Sequence, residues 1–293
     1  MTPEKFQDIV SFIIPTVNQV ELVKKCVTSL IESNPTSLPY EIIVVDDGST
    51  PEIQKSLVQA LCNCKVLTAA KNAGFSATVN QGAAVSQGNY LCLVNNDISF
   101  IQKNWLDLML VDARRPRVGL LGPRLLYPDG RIQHGGIIYL PQRGFDHEYR
   151  NQPGDYYPAL RSREVLGVTG ALMLINRRMW ETLGGMDERF FIGMEDIDFS
   201  LRAWEKGWRI YYTGAAVAVH PEGFTRWNNP YWHSKAVESG MRFAQKWNRK
   251  IALFRQTPRI THGFSSISEE QAARWRKLSF QPKPVTVISR VKN

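Results

Sequence analysis

An apolar run that stops at two acids constrains this chain more than any other feature: Ile42-Ile43-Val44-Val45 leads directly into Asp46-Asp47-Gly48-Ser49. Four β-formers in a row read as a buried strand, and the acids with their Gly-Ser turn stand where it ends. In open α/β sheets that end is where ligands bind. An Asp there accepts hydrogen bonds from a nucleobase or a ribose, whereas a phosphate ligand favours glycine backbone and lysine and is repelled by two acids. The pair therefore suits a nucleoside held by its base or sugar. Turn chemistry accounts for the same residues equally well, because Ser49 or Thr50 can cap a helix that starts at Pro51.

The surrounding pattern alternates. Strands are expected over 9–15, 41–46, 65–68 and 90–94, with helices over 20–33, 51–61 and 75–86. This is an α/β chain with a doubly wound, mostly parallel sheet. Beyond Ile98 the pattern is less regular, with strands expected over 118–121, 137–140, 170–175 and 209–212 and helices over 196–206 and 232–247. No internal repeat or low-complexity linker interrupts it, so residues 1–98 and 99–245 are expected to be two halves sharing one sheet and core. Pro15-Thr16-Val17-Asn18 follows the first strand in place of Gly-x-Gly-x-x-Gly, and no Gly-x-x-x-x-Gly-Lys occurs, which excludes dinucleotide-binding and P-loop readings.

At 293 residues the chain can bury a sizeable core. Nothing in residues 1–7 resembles a signal peptide and no apolar run approaches the ~20 residues of a membrane span, so a cytoplasmic location is expected. Cys26, Cys62, Cys64 and Cys92 lack a second Cys or His pair for a zinc site and read as reduced, mostly buried thiols. The net charge of +9 is uneven: residues 1–245 hold 25 Lys and Arg against 25 Asp and Glu, and residues 246–293 hold 11 against 2. That last segment also carries Trp247, Phe254, Phe264, Trp275 and Phe280. Basic groups interleaved with aromatics suit peripheral contact with an anionic membrane face; a solvated tail folded on the body is the alternative. No nucleic-acid motif is present, and no nucleic-acid partner is expected.

Three further segments carry chemistry. Asn95-Asn96-Asp97 follows another apolar strand, so Asp97 is a candidate metal ligand facing the same crevice as Asp46 and Asp47, or else part of a turn. Glu195, Asp196 and Asp198 open a helix, where the dipole favours carboxylates and Asp196 could serve as a cap. His220 ends a strand of small residues and could complete a metal site or be a hydrogen-bonded structural residue.

Taken together and in this order, these segments resemble the inverting glycosyltransferases of family 2, which have the GT-A fold. The resemblance runs over roughly residues 10–226. Ile14-Pro15-Thr16 with Asn18, the segment Val45-Asp46-Asp47-Gly48-Ser49, Lys71-Asn72-Ala73-Gly74-Phe75-Ser76 and Asn80-Gln81-Gly82 match the elements beside the nucleotide. The resemblance thus implies nucleotide binding by Pro15, Thr16, Asn18, Asp46, Asp47, Asn72, Gly74, Asn95 and Asn96. Asn95-Asn96-Asp97 occupies the place of the Asp-x-Asp motif, whose last Asp binds the cation, and His220 matches the late His that joins it. Thr169-Gly170-Ala171 and Leu183-Gly184-Gly185-Met186-Asp187-Glu188 match elements around the sugar pocket, which implies sugar or acceptor contacts by Thr169, Gly170, Asp187 and Asp198. Glu195-Asp196 matches the pair that supplies the general base. Asn95 departs from the pattern by removing one charge, and Met186 stands where Phe is usual. Gln133-His134-Gly135-Gly136 and His147 look like the branch that builds bacterial surface polysaccharides, such as rhamnosyltransferases.

The implied activity is sugar transfer from a UDP-, dTDP- or GDP-linked donor to a glycan or lipid-linked hydroxyl, with Mn²⁺ or Mg²⁺ held by Asp97 and His220 and with Asp196 as base beside Glu195. Lipid-linked acceptors would place the protein peripherally at the inner membrane face. A nucleotidyltransferase would want a basic phosphate loop, which residues 15–19 lack, and an inactive nucleotide-sugar-binding subunit would be signalled by loss of Asp97, Asp196 or His220.

Overall fold

The computed structural model describes residues 9–33, 38–222, 230–254 and 268–278. Its first half follows the periodicity closely: β1 (Val10–Thr16), α1 (Val20–Ser33), β2 (Tyr40–Asp46), α2 (Pro51–Ala60), β3 (Lys65–Thr68), α3 (Phe75–Ala84) and β4 (Tyr90–Val94). Helix α1 forms because Val23, Cys26, Val27 and Leu30 fall on one buried stripe. Helix α2 starts where Pro51 supplies a preset φ and loses no needed N–H.

The second half adds α4 (Trp105–Ala113), β5 (Val118–Leu126), β6 (Ile132–His134), β7 (Ile137–Leu140), β8 (Gly144–His147), β9 (Arg163–Glu164), β10 (Leu172–Asn176), α5 (Arg177–Leu183), α6 (Glu195–Glu205), β11 (Arg209–Val219), α7 (Pro230–Ile251) and α8 (Glu269–Lys277). Among the described residues nine strands form one sheet, in the order β3-β2-β1-β4-β10-β5-β11-β9 with β6 pairing β5. The two halves do share that sheet. Strand β10 runs antiparallel to both β4 and β5, while β11 runs parallel to β5. The strand expected over 137–140 leaves the sheet and pairs with β8 in a separate hairpin.

Alternation along β1 divides the core. Ile13 faces a cluster with Ile43, Val79, Leu93, Phe199 and Trp204, and Phe12 and Ile14 face another with Leu30, Leu57 and Trp105. Helices thus cover both faces of the sheet.

The basic segment after residue 245 is not a separate tail in its described part. Helix α7 continues through residue 246 to Ile251, and Trp247, Phe254 and Trp275 are buried in the first core cluster. The Trp275 ring stacks on Phe254 at 4.9 Å and on Trp247 at 5.9 Å. Those aromatics are therefore committed to the protein interior, which each stabilises by about 2 kcal/mol. Phe264 and Phe280 lie outside the described residues. Among the described residues no helix is long and apolar enough to cross a membrane. Cys26 and Cys92 are buried as expected, whereas Cys62 is exposed.

Candidate functional site

Strand directions decide which distant residues meet. Because β10 is antiparallel to β4 and β5, strands β5 and β11 end on the same sheet edge as β1, β2 and β4. Asp97 follows β4 and His220 follows β11, so both reach that edge. Ser99 and Val219 exchange two backbone hydrogen bonds of 2.9 Å and hold the two turns together. His220 Nε2 lies 3.2 Å from Asp97 Oδ1. On the other side of the ring, the Nδ1 of His220 faces Gln133 Oε1 at 3.2 Å, which fixes the orientation of the imidazole.

This edge opens into a cleft of about 540 Å³. Pro15, Thr16, Asp47, Asn95, Asn96 and Asp97 line one side, while Thr169, Gly170, Glu195, Asp196 and His220 complete it. The Asn96 amide donates to the Thr16 hydroxyl at 2.8 Å, and the Asn95 amide lies 3.5 Å from His220 Nε2. Asp47 accepts from the Ala73 and Gly74 amides at 2.7 and 3.0 Å. Burial pushes the Asp47 carboxyl upward against those donors.

Asp196 occupies the second position of α6, and the residue capping that helix is Met194. Its carboxylate accepts from the Gly170 amide at 3.0 Å and from the Ile197 amide at 2.8 Å. Gly193 and Met194 have φ of 86° and 68°, two successive left-handed residues that swing the chain into α6. For Met194 that conformation costs of order 1 kcal/mol, and the residue lines the cleft.

Several residues expected at the site stand elsewhere. Asp46 is fully buried and accepts from the Ser49 amide, the Ser49 hydroxyl and Gln54 Nε2, so its oxygens serve the turn and do not line the cleft. Asn18 is exposed with φ of 56°, and its amide donates to Ser49 Oγ at 2.8 Å. Asn72 and Gly74 are not among the residues that line the cleft, and Gly74 meets it only through its amide, which donates to Asp47. Gly74 is required there, because a Cβ would stand 2.5 Å from the Phe191 carbonyl at a φ of 89°. Asp187 and Asp198, expected to touch sugar or acceptor, lie outside the cleft lining in an ion network with α7. Lys246 reaches Asp187 at 2.8 Å and Asp198 at 2.6 Å, Arg202 reaches Asp198 at 2.8 Å, and Trp247 Nε1 donates to Asp198 at 2.8 Å. Burial would raise the Asp187 carboxyl, but hydrogen bonds from Arg189 and Lys246 outweigh it and hold it well below the carboxylate range.

The structure adds Gln133, His147, Arg150, Glu222 and Trp232 to the cleft. Gln133 and His147 were visible as a motif without a site role. Arg150 and Glu222 sit in irregular segments with no pattern to mark them.

The donor set fits a divalent cation. Among the described residues Asp97 Oδ1 is buried without a hydrogen-bond partner, and it lies against an imidazole nitrogen. Among the described residues no group of three or more His, Cys, Asp or Glu could hold a metal, so other ligands would come from substrate and water.

A family model described as glycosyl transferase family 2 matches residues 11–184, and one described as glycosyl transferase family group 2 matches residues 107–273. The chain is 30% identical over 226 residues to an O-antigen biosynthesis protein of Myxococcus xanthus, covering 74% of this chain and 18% of that protein. It therefore spans about a fifth of that relative's length. It is 26% identical over 227 residues to an N-acetylglucosaminyl-diphospho-decaprenol L-rhamnosyltransferase of Mycobacterium tuberculosis, covering 69% of this chain and 73% of that one. A mannosyltransferase of Pyrobaculum calidifontis, solved with GDP-Man and Mn²⁺, shares the fold with a TM-score of 0.56 at 17% identity, over 77% of this chain and 60% of that chain.

Proposed function

This chain belongs to glycosyl transferase family 2, and from that premise we propose that it moves a sugar from a nucleoside-diphosphate donor to a hydroxyl acceptor, with inversion, in the assembly of a bacterial surface polysaccharide. The observation that carries this reading is the placement of the Asp97–His220 pair and the Asp196 carboxylate in one cleft. The relatives named for O-antigen biosynthesis and for rhamnosyl transfer to a lipid-linked sugar support the polysaccharide setting and a glycan or lipid-linked acceptor.

The nucleoside lies against Thr16, Asp47 and Asn96, where side-chain oxygens and an amide can meet base and ribose edges. Asp97 and His220 would hold Mn²⁺ or Mg²⁺, which when bound supplies Lewis-acid stabilisation of the charge growing on the departing diphosphate. The pairing of a carboxylate with an imidazole favours Mn²⁺ over Mg²⁺. Asp196 takes the proton of the acceptor hydroxyl as its oxygen bonds to the anomeric carbon. The bond from that carbon to the phosphate oxygen breaks on the opposite face. The two amides that Asp196 accepts fix its orientation and leave further lone pairs for the proton.

Purified protein presented with a panel of UDP-, dTDP- and GDP-sugars and Mn²⁺ should consume one donor, and exhaustive chelation should stop it. Retained turnover after chelation would remove the cation from the reading. A product with the donor's own anomeric configuration would remove inversion.

A further inference from the structure

Among the described residues lining the cleft, Arg150 carries the one guanidinium or ammonium group, against the carboxylates of Asp47, Asp97, Asp146, Glu195, Asp196 and Glu222. A diphosphate entering so acidic a space is repelled unless cations meet it. Asp97 and His220 provide for a metal at one place only. The guanidinium fork is the side chain best matched to phosphate oxygens, because it offers parallel N–H donors in a plane.

Arg150 is held in place for such a role. Its Nη2 donates to Glu222 Oε1 at 3.2 Å, and its Nε lies 3.9 Å from Asp146 Oδ1, beyond hydrogen-bond reach. Glu222 also accepts from the Tyr127 hydroxyl at 2.6 Å. Among the described residues the Nε is buried without a hydrogen-bond partner. A guanidinium has five N–H donors, and one is engaged among the described residues. Glu222 stands two residues after His220 with φ of 57°, a left-handed turn that places the partner of Arg150 next to the cation pair. The same short turn thereby sets both a metal ligand and the anchor of the cleft's cation.

Resting on the transferase reading above, we propose that Arg150 is a diphosphate-binding residue of this cleft, with Glu222 and Tyr127 positioning its guanidinium. The diphosphate can come from the nucleotide donor or from a lipid-diphosphate acceptor, since both present the same oxygens.

Calorimetric titration of the full chain with Mn²⁺ present separates the outcomes, using inorganic diphosphate, UDP, dTDP, GDP, the free nucleosides and a soluble prenyl-diphosphate sugar. Arg150→Ala should weaken inorganic diphosphate and its carrier by about 10- to 100-fold and leave nucleoside affinity and melting temperature unchanged. Arg150→Lys, which keeps charge without the fork, should fall between. Glu222→Gln should bind diphosphate at least as tightly as wild type, because the Gln carbonyl still accepts from and anchors the guanidinium while the charge that competes with diphosphate is gone. A pair that only staples the hairpin would instead make Glu222→Gln and Arg150→Ala equally harmful, with lower melting temperatures. Loss confined to nucleoside diphosphates assigns the donor as the source, and loss confined to the prenyl diphosphate assigns the acceptor. Wild-type affinity for every diphosphate in Arg150→Ala, or no diphosphate binding by the unmodified protein, would overturn the proposal. Sugar transfer unaffected by Arg150→Ala overturns it alone, whereas Arg150-dependent diphosphate binding without transfer from any donor removes the transferase reading and leaves the anion site.

Discussion

Asp196 shows how a single carboxylate can be tested for chemistry apart from structure. It does not cap α6, since Met194 holds that position, but it accepts two amides on the cleft wall. Asparagine has one acceptor oxygen for those two donors, so Asp196→Asn should lose about 1 kcal/mol of stability. It also cannot take a proton from the acceptor hydroxyl. Turnover is expected to fall by roughly 100-fold or more while affinity for the nucleoside diphosphate stays near wild type. Steady-state kinetics beside calorimetry decide this, and near-normal turnover would move the base to Glu195, its buried neighbour in the cleft. Asp46 and Asp47 show why adjacent identical residues separate in role. Successive side chains alternate at a strand end, so Asp46 turns inward to Ser49 and Gln54, while Asp47 reaches the cleft and the Ala73–Gly74 amides.

Helix α7 is the element whose role changes most between sequence and structure. Lys246 and the indole N–H of Trp247 converge on Asp198 together with Arg202 of α6, so a fully buried carboxylate is met by two cations and an indole N–H. Removing one partner of such a set strands the others. Asp198→Ala should therefore cost about 3–5 kcal/mol, read by chemical denaturation, and the loss should appear without nucleotide present. A cost below about 1 kcal/mol would mean that the network is no stronger than a surface pair. Trp232 at the start of the same helix lines the cleft, so α7 links this ion network to the site wall.

For the whole molecule, the consequence concerns where the fold ends. Trp247, Ile251, Phe254, Ala272 and Trp275 belong to the same core cluster as Ile13 and Leu93 of the central sheet. A chain stopped after Gln245 loses all of them. Loss of one buried Trp or Phe alone costs about 3–5 kcal/mol, which approaches the ~5–15 kcal/mol that holds an ordinary domain together. The truncated chain should fail to give a cooperative thermal transition. A melting temperature unchanged by the deletion would return the segment to the status of an appended tail.

Periodicity and turn chemistry were enough for the first half, because strands of four or more β-formers and helices with one apolar stripe are local signals. The α/β class, the parallel strands β1, β2 and β4, and the candidate residues Asp47, Asp97, Asp196 and His220 all follow from them or from the motifs they carry. Helix α4 was missed because Trp105, Leu106, Met109 and Leu110 lie in a segment apolar on most sides, where no stripe stands out. The antiparallel insertion of β10 was equally hidden, since pairing direction depends on a partner and not on the strand's own residues. That insertion brings residues 97 and 220 to one edge. Tertiary structure alone also divided the acids, sending Asp46, Asp187 and Asp198 to buried or ion-paired posts and Asp47, Asp97 and Asp196 to the cleft. Residue type and spacing determine which chemistry a chain can perform; burial and the partners supplied by distant segments decide which of its carboxylates are left to perform it.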